Sequence, residues 1–199
     1  DKYNVTWWDE WESKPLGTIG QRYGATVGDH KIMKKIREQL RRDPFSRRII
    51  GNLWQYEDLN LPGGLDPCVY QVQFFVTQGK AKDEKLKLHM IVYQRSSDYI
   101  TAGHINRMQY AALQLLLAVD NNMDVGTLTW YTGNLHIYDR HFEIAEKMIA
   151  FYDRAPAETI NSKPRLVLAE GVSFEEAMPE HFKMLDYSPG PQFKIPLAI

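Results

Sequence analysis

Apolar residues recur every fourth position in DHKIMKKIREQLRRDP, residues 29–44, where Ile32, Ile36 and Leu40 share one face. That period predicts a helix with Asp29 as its cap and Pro44 as its stop. The opposite face carries Lys31, Lys34, Lys35, Arg37, Arg41 and Arg42, most simply a solvated surface. The pattern then changes to period two. RRIIGNLW (47–54) reads as a short strand, and CVYQVQFFVT (68–77) as a longer one with Tyr70, Val72, Phe74 and Val76 on one side of the pleat. LKLHMIVYQR (86–95) matches it, and the two are expected to pair across a hairpin containing Gly79. INRMQYAALQLLLAV (105–119) is the longest apolar run, almost without charge, and predicts a central core helix. A strand in DVGTLTWYTGNLHIY, an amphipathic helix over RHFEIAEKMIAFYDR (140–154) and short strands in RLVLAEG and FKMLDYSPGPQFKIPLAI complete the chain. Helices and strands mix without strict alternation, which gives an α+β fold. No repeat, low-complexity tract or linker interrupts residues 1–199, so they read as one domain.

Composition narrows the function classes. A net charge of −1 gives no ground for nucleic acid or an anionic membrane as the main partner. No stretch is long and apolar enough to span a bilayer, and the start of the chain lacks a basic-then-apolar signal pattern. One cysteine rules out an internal disulfide framework and suits a reducing cytosol. A soluble cytoplasmic protein is the expectation. The 11 Tyr, 8 Phe and 5 Trp residues serve either a stacking surface for a flat ligand or an aromatic core.

The lone cysteine stands in GLDPCVYQ, residues 64–71, at the head of the second strand. Free cysteine usually packs as a small hydrophobe, so Cys68 is either a core residue or a nucleophile. The third strand ends Gln94-Arg95-Ser96-Ser97-Asp98. Arg95 can give a bidentate fork and Ser96 a hydroxyl to a phosphate; the alternative is a turn closed by an Arg95–Asp98 ion pair. Arg47 and Arg48 in SRR add two more cations. His136 and Tyr138 in NLHIY fall on one face of a strand. No pair of His, Cys or carboxylates has metal spacing, and no metal is expected.

Taken in order, DPFSRRII, LDPCVYQVQFFV, YQRSSD followed by HIN, GNLHIYDRH and a terminal IPLAI resemble the thymidylate synthase family from WWDEW to Ile199. The resemblance implies a mixed β-sheet with a central buried helix, and sheets packed back to back in a homodimer. It implies conversion of dUMP to dTMP, with 5,10-methylenetetrahydrofolate as one-carbon donor and reductant. Cys68 matches the thiolate that adds to C6 of the pyrimidine, and cations near a thiol favour that ionised form. Arg95 and Ser96, with Gln94 beside them, match the phosphate and substrate site of one subunit, while Arg47 and Arg48 would reach in from its twin. Asn106 matches the base-reading carboxamide, and His136 and Tyr138 the pair on the sugar 3′-hydroxyl. Tyr23 matches the tyrosine associated with loss of the C5 proton. Asp98 matches the carboxylate that holds the pterin, Trp8 and Trp11 the tryptophans flanking the folate, and Ile199 the terminus that closes over bound ligands.

The match departs from the family pattern in several places. Val69 stands where histidine usually follows the cysteine, and TAGHIN puts His104 where proline is expected. Asn134 replaces an aspartate ahead of His136. NVTWWDEW corresponds to a point well inside the pattern, so the upstream catalytic glutamate and a further phosphate arginine have no counterpart in these residues. These departures keep two alternatives open: a pyrimidine nucleotide hydroxymethylase, in which water takes the place of hydride, and an inactive nucleotide-binding relative.

Overall fold

A computed structural model describes residues 6, 8–13, 17–79, 81 and 83–196. Ile199 lies outside them. The chain divides into two compact units: one takes Asp1–Gln78, Leu88–Ser96 and Gly126–Gly133, the other Gly79–Lys87, Ser97–Val125 and Asn134–Ile199.

In the first unit a short helix, α1 (Gly24–Asp29), precedes the expected one, α2 (Ile32–Arg42). Asp29 therefore ends α1 instead of capping α2, and its carboxylate accepts a hydrogen bond from Gln21 Nε2 at 2.9 Å. Lys31, left-handed at φ +53°, opens α2. An aspartate just before an apolar stripe satisfies the capping pattern whether or not another helix already claims it. Ile32, Ile36 and Leu40 are buried, as their period requires. They lie over β1 (Ile50–Asn52), where a Cβ on Gly51 would stand 3.0 Å from Ile32, Ile36 and Val72. Glycine thus allows helix and strand to approach. Of the basic face, Lys34, Lys35, Arg41 and Arg42 are exposed.

After the single turn α3 (Tyr56–Leu59) come β2 (Val69–Thr77) and β3 (Lys87–Asp98), and β4 (Asp124–His136) completes a sheet of order β1-β2-β3-β4. β1 runs antiparallel to β2, with Ile50 opposite Gln73 and Asn52 opposite Gln71. Gly126 lies against His89 and Gly133 against the Arg95 carbonyl, so partners rise in step and β4 is parallel to β3. The sheet is therefore mixed, with α4 (His104–Asp120) as the crossover. Val72, Phe74, Val76, Leu88, Met90 and Val92 supply its buried side. Each contributes about 1.5–3 kcal/mol by leaving water.

The second unit holds α4, α5 (Phe142–Tyr152), α6 (Ala157–Ile160) and an antiparallel pair, β5 (Arg165–Leu168) and β6 (Phe182–Leu185), with Arg165 opposite Leu185. α4, expected as the core helix, buries Gln114, Leu117 and Ala118, while Met108 and Val119 are exposed. Uniformly apolar sequence says that a helix has no polar side, but not what covers it. α5 likewise leaves Phe142, Ile149 and Tyr152 exposed. Among the described residues, no helix is long and apolar enough to cross a membrane.

Candidate active site

Cys68 sits where the chain enters β2. It is half-buried, unlike the packed core cysteine that was the alternative reading. Two backbone bonds hold it. Its carbonyl accepts from the Arg95 N–H at 2.7 Å, and its own N–H donates to the Tyr23 hydroxyl oxygen at 3.3 Å. Arg95 reaches back over the same segment. Its Nε donates to the Pro67 carbonyl at 3.1 Å and Nη2 to the Asp66 carbonyl at 2.9 Å, with the guanidinium carbon 5.8 Å from the centre of the Trp54 ring. A guanidinium has five N–H donors, so donors remain for an anion. Three of the expected residues thus meet at one strand end. Val69, next in line, is buried, so no polar network of the kind a histidine would join passes through that side chain.

Tyr23 is held in an unusual backbone state, φ +47° and ψ −107°. A non-glycine residue there costs on the order of 1–3 kcal/mol. In return its ring stands 5.5 Å from Trp8, which meets Trp11 at 5.8 Å, both edge-on. Burial first, then the charge of neighbouring Cys68, push the Tyr23 hydroxyl up to about 12, against the lowering effect of the bond it accepts from the Cys68 backbone N–H. The neutral phenol is therefore the form that folding favours. That contribution is whole below the ordinary tyrosine value near 10 and is lost as pH rises through about 12. Subtracting the ultraviolet titration of Tyr23→Phe from that of the wild type is expected to leave one tyrosinate transition near 12. A difference centred near 10, the ordinary value, would contradict the buried arrangement.

Sequence reasoning missed Arg22, although it stands directly before Tyr23 in QRYG. Its residue exposure is 5%. Its Nη1 donates to the carbonyls of Asp58 at 2.7 Å and Gln21 at 2.9 Å, and its Nη2 to those of Leu61 at 3.3 Å and Leu59 at 3.4 Å. Nε lies 3.4 Å from Asp66 Oδ1. Asp58 is also buried, and takes Thr26 Oγ1 at 2.6 Å and His30 Nε2 at 3.1 Å. Burial opposes the Asp58 charge, but the bonds from Thr26 and His30 outweigh it and hold the carboxyl below its usual value. The segment running from α3 to the cysteine is thus tied to the turn carrying Tyr23.

Gln94 is 3% exposed; its Oε1 accepts from Trp130 Nε1 at 2.8 Å, while its Nε2 has no partner among the described residues. Ser96 follows on β3, half-buried. Arg47 and Arg48 are exposed between buried Ser46 and Ile49, so the turn projects both side chains outward.

The second unit holds the remaining expected residues. Asp98 ends β3 and accepts from the Thr101 N–H at 3.4 Å, at the head of a π-helical turn Tyr99–Gly103. The first three residues of TAGHIN lie in this turn and His104 opens α4; such turns collect at functional sites. Asn106 stands half-buried in the first turn of α4. His136 and Tyr138 meet edge-to-face at 5.1 Å, and His136 Nδ1 is buried with no hydrogen-bond partner among the described residues. His141, also missed from the sequence, is fully buried behind them. Among the described residues no group of three His, Cys, Asp or Glu side chains is arranged to hold a metal.

A family model described as thymidylate synthase matches residues 1–199. The thymidylate synthases of Streptococcus gordonii, Streptococcus sanguinis and Lactococcus lactis subsp. cremoris are 45%, 44% and 44% identical over 202 positions, covering 100% of this chain and 69% of each relative. The solved structure of thermostable thymidylate synthase A from Bacillus subtilis aligns with a TM-score of 0.85 at 28% identity, over 100% of this chain and 69% of that one. Fold and relatives together define a C1-transferase. The chain belongs to the thymidylate synthase family.

Proposed function

We propose that this chain methylates dUMP to dTMP, with Cys68 as nucleophile and 5,10-methylenetetrahydrofolate as co-substrate. The observation carrying the reading is the half-buried thiol bracketed by backbone bonds from Arg95 and to Tyr23. The Cys68 sulfur bonds to C6 of the uracil, and the C5=C6 electron pair shifts toward the 4-oxygen, which makes C5 nucleophilic. Asn106 suits uracil because a carboxamide donates and accepts at once, matching the 4-oxo and 3-NH groups. Arg95 and Ser96 hold the phosphate with Gln94 beside them, joined by Arg47 and Arg48 of a second copy, and His136 and Tyr138 take the sugar hydroxyl. C5 then bonds to the one-carbon unit. Tyr23 serves the departure of the C5 proton as the bond from the transferred carbon to the folate nitrogen breaks. Arrival of hydride at that carbon lets the C6–S bond break and the Cys68 thiolate leave.

The folate supplies the one-carbon unit and the hydride that reduces it. Trp8 and Trp11 offer it aromatic edges and faces, Asp98 offers a carboxylate to a donor-rich pterin, and Ile199 is its terminal cover. A water-poor site protects the transferred carbon. The two units are read as one catalytic domain over 1–199, since the chain passes repeatedly between them. A homodimer joined by the sheets is supported by the aromatic face on which Tyr93 stacks on Tyr131 at 5.6 Å and Phe75 on His89 at 4.7 Å, with Tyr131 and Phe75 exposed. A thiol nucleophile suits the reducing cytoplasm.

Mass spectrometry of products from dUMP, dCMP and CMP, each with methylenetetrahydrofolate, tests the reading. dTMP and dihydrofolate are expected from dUMP. A hydroxymethyl product with tetrahydrofolate would replace it by the hydroxymethylase alternative, which the relatives named above, all thymidylate synthases, do not favour.

A further inference from the structure

His141 is an imidazole at 0% exposure whose two nitrogens face different things. Nε2 lies 2.8 Å from the Pro196 carbonyl oxygen. A carbonyl only accepts, so this nitrogen carries the proton and donates. Among the described residues Nδ1 is buried without a hydrogen-bond partner, and the Asp98 carboxylate approaches it, with Oδ2 at 3.8 Å. The ring itself completes the set, meeting Tyr138 edge-to-face at 6.0 Å and 82°. A buried polar atom without a partner is costly; with Nε2 already donating, Nδ1 can bond the carboxylate only as the N–H of an imidazolium, which makes the link a charge-assisted one.

We infer that His141 is a positioning residue that orients Asp98 and seats the C-terminal segment at Pro196 through one side chain. The inference rests on Asp98 being the folate-holding acid. It deepens that reading by coupling the acid to the tail. The pterin-binding carboxylate then has its correct orientation only when the segment ending at Pro196 is seated, and the segment is seated more firmly when Asp98 is engaged. Tyr138 needs only the ring, so the sugar site is served by shape and the folate site by the nitrogens.

His141→Phe keeps the aromatic contact to Tyr138 and removes both polar links. Its expected signature is a rise of about tenfold in KM for methylenetetrahydrofolate, the size of one lost charge-assisted hydrogen bond, with dUMP affinity in the absence of folate unchanged within about twofold. His141→Gln, which can still donate to Pro196, should recover part of the loss. It carries the test if the phenylalanine variant does not fold. Asp98→Asn alone should raise the same KM, and adding His141→Phe to it should cost little more, because coupled residues are non-additive. If Asp98→Asn leaves the folate KM unchanged, the assignment of Asp98 fails. If Asp98→Asn raises it but the histidine variants do not, or raise the dUMP constant equally, the coupling through His141 fails.

Discussion

Cys68→Ser is expected to lower kcat by on the order of 10⁴-fold or more while leaving the fold intact. The side chain is half-buried at a strand entrance and makes its fixed contacts through the backbone, the carbonyl to Arg95 and the N–H to Tyr23. Serine nearly matches it in volume and disturbs neither bond, so the stability change should stay within about 0.5 kcal/mol. The chemistry is different. A thiol ionises near pH 8.5 and its thiolate is an intrinsically strong nucleophile, whereas a hydroxyl without an adjacent base is a weak one. The measurement is a turnover assay beside denaturant unfolding, with 5-fluorodeoxyuridylate and methylenetetrahydrofolate as a covalent trap. Wild-type protein should retain the analogue after denaturation, and the serine variant should release it. Retention by the serine variant, or wild-type turnover, would remove Cys68 from the mechanism.

How much of this was legible in the sequence depended on whether a signal was periodic or positional. α2, β2, β3, α4 and β4 each sustain a period over many residues, and each was found near its observed limits. α1, α3 and α6 have six, four and four residues, too few for a period to repeat twice. Their existence depends on tertiary neighbours such as the Thr26–Asp58 bond. In the site, Cys68 and Arg95 stood out because their residue types carry chemistry, whereas Tyr23 was singled out only by the family resemblance. Arg22 and His141 were not, because their roles come from burial. An arginine in a glycine-flanked turn and a histidine opening an amphipathic helix look like surface residues until the chain folds over them. The same limit applied to α5, whose apolar stripe predicted a packed face that the structure leaves exposed.

Arg22 carries the other large expected effect. It is the donor hub of the loop that leads to the nucleophile: two carbonyls take its Nη1 hydrogens, two more lie at the long limit for Nη2, and the Asp66 carboxylate stands beside Nε. Asp66 in turn gives its carbonyl to Arg95, so the residue two places before Cys68 is gripped by both arginines. Methionine at this position fills most of the volume but leaves the buried Asp58 carbonyl and three part-buried ones without this donor, and the Asp66 carboxylate without its cation. Each buried acceptor stripped of its partner costs about 1–3 kcal/mol, while the contact to Asp66, whose side chain is half open to water, adds little. Arg22→Met is therefore expected to destabilise the protein by about 1–3 kcal/mol in urea unfolding. Arg22→Lys should fall between, since an ammonium keeps the charge but cannot span four carbonyls as a planar fork does. Because Cys68 is the chain's one cysteine, its alkylation rate reads the loop directly. The rate should rise in Arg22→Met under conditions where the variant remains folded, as local opening exposes the thiol. If Arg22→Met unfolds within about 0.5 kcal/mol of the wild type and its thiol reacts at the same rate, the clamp has no hold on the nucleophile, and the loop must owe its position to the Arg95 contacts alone.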